Sequence, residues 1–343
     1  MNGVLKEVAD HDRASGSLLS IERLRTHLFT SKGVVKAVDG VSFDIKPHEI
    51  MGLVGESGSG KTMTGLSIMQ LLPSPPAKIV DGRIMFNGED LTKIPDDEIR
   101  KIRGSKISMV FQDPLTSLNP LIRVGRQVSE VIQIHSSLPK EPALSKAIEI
   151  LEQVGIPEAR TVASQYPFEL SGGMRQRVMI AAAVASRPEL LIADEPTTNL
   201  DTTIQAQVLS LLRQIRDTQG TSILLITHNL GIVAWICDRV AVLYAGRLVE
   251  IGPTNAVLRN PSHPYTQALL RSVPRIDSER GKLETIAGEV PRLTRLPINE
   301  CHFHPRCPYA KSVCKSEEPD LIQIGKDHFA SCFIYSKDWE QIK

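Results

Sequence analysis

Residues 55–62 are the most informative segment of this sequence. They read GESGSGKT and fit the phosphate-binding loop pattern G-x-x-x-x-G-K-[ST]. Glycines in such a loop let successive backbone N–H groups converge on phosphate oxygens, in conformations that a Cβ atom would penalise. An apolar run at residues 50–54 precedes the loop, and residues 61–72 are predicted to form a helix whose N-terminus favours anions. This strand–loop–helix order predicts an α/β protein with a site for nucleotide phosphates.

Each position of the loop has a predicted role. Lys61 would place its ammonium group on the β and γ phosphates of ATP, and Thr62 would offer its hydroxyl to Mg²⁺. The other loop residues predicted to bind the nucleotide are Gly55, Ser57, Gly58, Ser59 and Gly60. A chance glycine-rich turn is the alternative, but it does not account for the strand before the loop and the helix after it.

Two later strand-like runs end in polar residues suited to phosphoryl transfer. Residues 190–195 form an apolar run that ends in two adjacent carboxylates. Asp194 is predicted to hold Mg²⁺, directly or through water, and Glu195 to polarise the attacking water. Residues 222–227 form another such run, followed by His228, which would hydrogen-bond the γ-phosphate. A histidine after a strand is alternatively a surface or capping residue.

Strand-like and helix-like runs alternate from about residue 18 to residue 260. This order predicts a mixed sheet covered by helices, with a β-rich N-terminal subdomain and a helical insert at about 115–165. Prolines become frequent after residue 260, which is typical of a linker and an irregular region. We therefore expect a flexible tail at 1–17, a nucleotide-binding domain at 18–260, and a linker with a small irregular cysteine-containing domain at 261–343.

The composition is that of a globular protein with balanced charge. Lys and Arg number 40 against 39 Asp and Glu, and the sequence has no basic run of the kind that indicates a nucleic-acid partner. No apolar stretch reaches the roughly 18–20 residues needed to cross a bilayer. The first 17 residues lack the apolar region of a secretory signal, which favours a reducing compartment where disulfides are rare.

The segment at 170–176 reads LSGGMRQ and opens a predicted helix at 174–185. Together with the two phosphate-site segments, it resembles the LSGGQ-type signature of ABC ATPases, whose commonest form has glutamine where Met174 stands. The resemblance covers about residues 18–275 and implies the fold of an ABC ATPase.

The resemblance implies roles for further residues. Phe29 would stack on adenine, and Gln112 would contact Mg²⁺ and the attacking water. The signature residues implied to bind nucleotide are Ser171, Gly172, Gly173 and Gln176, and Asp201 occupies the D-loop position. Asn199, where alanine is common, is a small departure from the family pattern.

The resemblance also implies a mechanism. Two such subunits face head to tail, and each ATP lies between the phosphate loop of one and the signature of the other. ATP binding closes the pair and hydrolysis opens it, which is a ligand-driven population shift.

The C-terminal third resembles the peptide-importer branch of this family, the oligopeptide and dipeptide permeases. The matching segments are NPSHPYT at 260–266, LLRSVP at 269–274 and the cysteines at 301–332. The resemblance implies an ATPase on the cytoplasmic face of the cell membrane that drives peptide uptake. Its partners would be two transmembrane permease subunits, a second ATPase subunit that is paralogous or identical, and, indirectly, an extracellular or periplasmic solute-binding protein. Import of another solute such as nickel, and a soluble ABC ATPase acting on DNA or ribosomes, are the alternatives.

Four of the five cysteines lie near the C-terminal end. Their number is that of a tetrahedral set of thiolate ligands, which suits zinc or an iron–sulfur cluster. The four residues are Cys301, Cys307, Cys314 and Cys332. The C-x₂-C knuckles usual in zinc ribbons are missing from this segment, and the family resemblance points to [4Fe–4S]. A zinc ion and four unligated thiols stay open as alternatives.

Overall fold

The computed structural model describes residues 16–273, 286, 288–291, 294 and 299–341 of the 343-residue chain. Most of the tail expected at 1–17, and the last residue of the segment 269–274, lie outside the described residues.

The strands follow the chain in this order: β1 (Leu19–Thr30), β2 (Gly33–Ile45), β3 (Ile50–Val54), β4 (Ala77–Phe86), β5 (Glu89–Asp90), β6 (Ile107–Val110), β7 (Leu190–Asp194), β8 (Ser222–Thr227), β9 (Arg239–Tyr244), β10 (Arg247–Pro253), β11 (Leu321–Gly325) and β12 (His328–Ser331). The α-helices are α1 (Lys61–Ile68), α2 (Asp96–Ile102), α3 (Pro114–Ser117), α4 (Val124–His135), α5 (Lys140–Gln153), α6 (Ala159–Val162), α7 (Gly172–Val184), α8 (Thr202–Gln219), α9 (Leu230–Ile236), α10 (Thr254–Arg259) and α11 (Pro264–Arg271).

The chain divides into two compact units. The first unit comprises Met1–Ile45, Met51–Thr92 and Thr227–Lys343, as far as these are described. The second unit comprises Lys46–Ile50 and Lys93–Ile226. The phosphate loop and the cysteine segment therefore belong to the first unit, whereas the carboxylate pair and the signature segment belong to the second.

Two sheets form the first unit. In one, β1 lies between β2 and β4 and runs antiparallel to both, and β5 pairs with β4. In the other, the order is β11-β12-β10-β9-β3, in which β9 and β3 are parallel and the other neighbours are antiparallel. Every residue of β3 is buried, which explains why this strand is a continuous apolar run in the sequence.

A parallel sheet and a long helical stretch form the second unit. In the sheet, β7 pairs with β6 on one side and β8 on the other. All residues of these three strands are buried, as expected of strands covered on both faces. The helices α3 to α6 follow one another between Pro114 and Val162, in the region where the sequence predicts a helical insert. The predicted α/β fold class is confirmed.

The structure differs from the predicted elements in three places. The helix predicted for 61–72 ends at Ile68, because Gln70 takes a left-handed backbone with φ of +49° and Pro73 disfavours a helical backbone at Leu72. The run at 83–86 predicts a strand of only four residues, but β4 begins at Ala77 because it pairs with β1 along its length, although Gly82 interrupts its pattern in the sequence. The C-terminal region is not wholly irregular, since β12 extends the second sheet by pairing with β10.

None of the helices that the structure describes combines the length and the apolar character needed to span a bilayer.

A buried carboxylate joins β10 to the segments that follow it. Glu250 is 0% exposed and accepts hydrogen bonds from the backbone N–H groups of Ser262 at 2.8 Å and His263 at 2.9 Å. Nε2 of His328 in β12 lies 2.8 Å from the same carboxylate. Nδ1 of His263 in turn accepts from the N–H of Tyr265 at the start of α11. These contacts hold α11 and β12 against β10, since a buried carboxylate requires its donors.

Burial should make the stability of the protein depend on pH through His263. Burial lowers the pKa of His263 to about 4, against an opposing effect of Glu250. Because the unfolded histidine titrates near 6.5, the unfolded chain takes up a proton first as the pH falls. We expect this contribution to be intact above about pH 6.5 and to be lost toward pH 4, by about 2 kcal/mol of unfolding free energy at pH 5. Thermal unfolding measured from pH 7.5 to 5 checks this.

His263→Asn is the matched control, because its amide oxygen keeps an acceptor for Tyr265 but does not ionise. The variant should lose less stability than the wild-type protein between pH 7 and pH 5. Equal losses in the two proteins would contradict this assignment.

Candidate functional site

The phosphate loop joins β3 to α1 and has no room for side chains at two of its glycines. Gly55 has φ of +156°, and a Cβ atom there would lie 2.2 Å from the carbonyl oxygen of Leu243. Gly60 has φ of +103°, and a Cβ atom there would lie 2.2 Å from the carbonyl oxygen of Ala37. Both positions therefore require glycine, as the sequence pattern predicts.

Lys61 begins α1, and its side chain folds back over the loop. Its Nζ donates to the carbonyl oxygens of Gly55 at 2.8 Å and Glu56 at 2.9 Å, and the residue is 5% exposed. Ser57 and Thr62 are exposed. These features fit the phosphates of ATP: the ammonium group of Lys61 is fixed, the loop leads into a helix N-terminus, and its two obligatory glycines keep side chains away from the backbone N–H groups. The hydroxyl of Thr62 fits the role of a Mg²⁺ ligand.

Two further residues of the first unit were predicted to contact ATP. Phe29, the predicted adenine platform, lies near the end of β1 and is 53% exposed. His228 is exposed directly after β8. The next residue, Asn229, caps α9 by accepting from the N–H of Gly231 at 2.9 Å. Capping is thus performed by Asn229, which argues against the capping alternative for His228.

Sequence reasoning did not single out the residues that hold the phosphate loop from outside. The N–H of Glu56 donates to the hydroxyl of Tyr265 at 2.9 Å, and Arg306 forms an ion pair with the Glu56 carboxylate at 2.8 Å. Tyr265 and Arg306 follow the loop by more than 200 residues, so no local pattern connects them with it. The only signal in the sequence is an acidic residue inside a loop that would bind an anion.

The carboxylate pair lies at the end of β7 in the second unit. Asp194 is 2% exposed. Glu195 has φ of +45°, a left-handed conformation that costs a residue with a side chain on the order of 1–3 kcal/mol. Its N–H donates to the carbonyl oxygen of Ile226 at 2.9 Å, which holds the backbone in this bend. The bend ends the strand at Asp194 and turns the chain between the two carboxylates.

The Glu195 carboxylate has two side-chain donors. Its Oε2 accepts from the hydroxyl of Thr198 at 2.9 Å and from Nε2 of Gln112 at 3.3 Å. The structure therefore brings together Gln112 and Glu195, which the sequence analysis assigned to the same water molecule. The role of Thr198 was not predicted. The sequence feature that could have indicated it is a hydroxyl side chain three positions after the glutamate that it orients.

The signature segment opens α7 in the second unit. Ser171 is exposed and caps the helix by accepting from the N–H of Met174 at 3.3 Å. Gly173 approaches α8 so closely that a Cβ atom would lie 2.8 Å from Cγ2 of Ile204. Gly172 is exposed, whereas Gln176 is 2% exposed and its side chain points into the protein. Ser171 and Gly172 are thus accessible from outside, Gly173 is half-buried, and Gln176 is buried.

Asp201 begins α8, also in the second unit. It is exposed, and its carboxylate accepts from the N–H of Ile204 at 2.9 Å. Because Ile204 also packs against Gly173, the D-loop and the signature segment are fixed to each other by the same turn of helix.

The four C-terminal cysteines are neighbours and are mostly shielded from solvent. Burial raises the pKa of Cys301 to about 11 and that of Cys332 to about 12, and raises the pKa of Cys307 as well. The pKa of Cys332 is raised further by electrostatic repulsion between its thiolate form and those of Cys301, Cys307 and Cys314. Backbone N–H groups oppose it by hydrogen-bonding the sulfur atoms of Cys301, Cys307 and Cys332. The segment thus gathers four thiols and supplies them with donors.

The structure gives no direct support to a metal site at these cysteines. Among the residues that it describes, no three or more His, Cys, Asp or Glu side chains converge as they would around one metal ion. A zinc ion, which holds its sulfur ligands about 2.3 Å from the metal, requires such convergence. In a four-iron cluster each cysteine binds a different iron, so the sulfur atoms stand further apart.

Two protein families match this chain. Residues 38–198 match the ABC transporter family, and residues 249–314 match the C-terminal region of oligopeptide and dipeptide transporters. The oligopeptide transport ATP-binding protein AppD of Bacillus subtilis is 47% identical over 322 residues, which cover 94% of this chain and 98% of AppD. OppD of Salmonella typhimurium, also an oligopeptide transport ATP-binding protein, is 46% identical over 316 residues, 92% of this chain and 93% of OppD.

Solved structures of ATP-binding cassettes are similar as well. A dimeric post-hydrolysis state of the cassette MJ0796, bound to ADP and Pi, has a TM-score of 0.62 and 26% identity, and covers 69% of this chain and 98% of that one. The structure of cbiO1 from Clostridium perfringens, part of the ABC transporter complex cbiONQ, has a TM-score of 0.61 and 29% identity, and covers 71% of this chain and 92% of that one.

The hydrogen bond from Thr198 should raise the rate of ATP hydrolysis by orienting Glu195. Thr198→Val keeps the shape of the side chain and removes the donor. A hydrogen bond to a charged group contributes about 1.5–3 kcal/mol, so we expect kcat to fall by about tenfold or more while KM for ATP changes little. Steady-state ATPase assays over a range of ATP concentrations measure both quantities.

Thr198→Ser is the control for this variant, since serine keeps the hydroxyl. Its kcat should stay within about twofold of the wild-type value, and the same low kcat in both variants would show that packing rather than the hydroxyl matters.

Proposed function

Since the chain belongs to the ABC transporter family, in the branch of oligopeptide and dipeptide transporters, we propose that it hydrolyses ATP to drive the import of peptides through a membrane permease complex. The ATPase activity is supported by one observation above all: Glu195 follows Asp194 in a strained bend, and its carboxylate is oriented by two donors. The peptide substrate is supported by the C-terminal region and by relatives named for oligopeptide transport.

The residues divide the work between binding and chemistry. Lys61 and the N–H groups of the phosphate loop bind the triphosphate, and Thr62 binds Mg²⁺. Asp194 holds Mg²⁺, directly or through water, and Glu195 with Gln112 orients and polarises the attacking water. In this proposal the exposed Ser171 and Gly172, with the half-buried Gly173, contact the ATP of a second ATPase subunit.

The partners that we propose are two permease subunits in the membrane and a solute-binding protein on its other side, with this chain on the cytoplasmic face. The second unit offers a surface for the permease. Leu121 is 83% exposed and Leu115 62% exposed in the helical stretch, and Phe168 is 66% exposed just before the signature. Apolar side chains exposed this far are typical of interaction surfaces.

Replacement of Glu195 should separate ATP binding from turnover. With Glu195→Gln, kcat should fall by about 10²–10⁴-fold because the water loses its base, whereas ATP binding persists. Lys61→Ala should instead lose ATP binding, because the charge on the phosphates is removed. ATP binding, ATPase rate and uptake of a labelled peptide are measured in proteoliposomes that contain the permease partners.

Wild-type complexes assayed with labelled Ni²⁺ in place of peptide provide the comparison for substrate class. Peptide uptake that survives Lys61→Ala would refute the ATPase role. Nickel uptake without peptide uptake would leave the ATPase role intact and refute the peptide substrate.

We further propose that Cys301, Cys307, Cys314 and Cys332 bind a [4Fe–4S] cluster. The support is the mutual proximity of the four thiols and the N–H donors to three of their sulfur atoms, since such donors tune iron–sulfur clusters. When bound, the cluster would cross-link the C-terminal region at four points.

Anaerobic purification tests the cluster directly. We expect about four irons and four sulfides per chain with a broad visible absorbance band, and loss of both in Cys307→Ser. Cys237→Ser, which changes the remaining cysteine in the core of the first unit, is the matched control and should keep the iron. Stoichiometric zinc, or no metal at all, would contradict the proposal.

A further inference from the structure

The C-terminal segment reaches the phosphate loop through one arginine. Nη1 of Arg306 donates to Oε2 of Glu56 at 2.8 Å, and Nη2 donates to Oε1 at 3.3 Å. The side chain of Arg306 is 4% exposed, and that of Glu56 is 26% exposed. Both residues belong to the first unit. A two-pronged ion pair of this kind, largely shielded from water, is strong and directional.

Arg306 is fixed in position from its own side. It ends a single 3₁₀ turn, His304–Arg306, and its N–H donates to the carbonyl oxygen of Phe303 at 3.0 Å. Its guanidinium also donates to the hydroxyl of Tyr244 at 3.4 Å and the carbonyl oxygen of Ile286 at 3.3 Å. Phe303 is 2% exposed and packs edge-on against Tyr244, with ring centroids 5.1 Å apart. The guanidinium is therefore presented to Glu56 by a packed aromatic cluster.

The backbone of Glu56 is held by the same cluster. Its N–H donates to the hydroxyl of Tyr265 at 2.9 Å, and Tyr265 is 0% exposed. The rings of Tyr265 and Phe303 lie 5.5 Å apart. Glu56, the second residue of the phosphate loop, is thus held through its N–H by Tyr265 and through its carboxylate by Arg306. Both partners follow residue 260, the predicted end of the nucleotide-binding domain.

The negative charge of Glu56 disfavours the binding of phosphate groups by the loop. ATP brings several negative charges to a loop that already carries this carboxylate, and like charges a few ångströms apart repel strongly where water is partly excluded. Arg306 supplies the neutralising charge from the side. Because the Arg306 side chain is almost fully shielded from solvent and donates to the Glu56 carboxylate, its positive charge offsets the negative charge of Glu56.

We propose that Arg306 is a positioning residue for the ATP site: it neutralises Glu56 and, with Tyr265, fixes the second residue of the phosphate loop, so that the C-terminal segment sets the affinity of the loop for ATP. This inference rests on the proposed ATPase function. It assigns the C-terminal segment a part in nucleotide binding in addition to any part in transport.

A double-mutant cycle on the full chain with its permease partners tests the proposal. Arg306→Gln should raise Kd and KM for ATP on the order of tenfold, because the Glu56 charge is left uncompensated, while kcat at saturating ATP stays within about twofold. Arg306→Gln combined with Glu56→Gln should restore most of the affinity, since the repelling charge is gone. Glu56→Gln alone should bind ATP several-fold more tightly, since Arg306 then adds net positive charge beside the loop.

Arg259→Gln removes an exposed arginine from the same unit and serves as the matched control, with ATP affinity expected to stay unchanged. Arg306→Lys should bind ATP with an affinity between those of the wild-type protein and Arg306→Gln, because it keeps the charge but not the fork. The proposal is overturned if Arg306→Gln binds ATP as tightly as the wild-type protein, or if the double variant is as weak as Arg306→Gln. If Arg306→Gln does not fold, weaker ATP binding by Glu56→Gln overturns it. Absence of ATP binding in the wild-type protein would instead refute the proposed function itself.

Discussion

Contact of backbone with backbone at the phosphate loop is the constraint on which the first unit depends. The carbonyl oxygens of Ala37 in β2 and Leu243 in β9 occupy the space that side chains at Gly60 and Gly55 would need. The loop is further tied to the turn after β9, because the N–H of Gly246 donates to the carbonyl oxygen of Ser59 at 3.0 Å. The loop therefore takes its shape from both sheets of the unit. Donors that the fold itself holds in place lose little entropy on binding an anion.

The second unit concentrates its chemistry in one short stretch after β7. Within residues 194–201 the chain carries the carboxylate that we propose holds Mg²⁺, the proposed base, the hydroxyl that donates a hydrogen bond to that base, and the cap of α8. The left-handed backbone of Glu195 costs conformational free energy, and its hydrogen bond to the carbonyl oxygen of Ile226 offsets part of that cost. A change at Thr198 therefore acts directly on the Glu195 carboxylate, because the two side chains share a hydrogen bond.

Two features of the structure could be predicted from the sequence because each has a local cause. Gly55 and Gly60 follow from steric requirements, and the buried strands from unbroken apolar runs. Tyr265 and Arg306 could not be predicted, because their partners are distant in the chain and become neighbours only through the aromatic cluster around Phe303. The length of β4 was underestimated for a related reason, since pairing with β1 overrides the turn signal of Gly82. Tertiary context decides where local pattern is weak.

The pairing of β12 with β10 has a consequence for any shortened form of this chain. β10 is hydrogen-bonded to β9 on one side and to β12 on the other. A chain that ends before β12 would leave the N–H and C=O groups of β10 that face β12 without their partners, and the Glu250 carboxylate without His328. An open strand edge of this kind recruits strands from other molecules. β12 therefore protects part of the edge of β10, and a chain that ends before β12 is expected to aggregate more readily than the full chain.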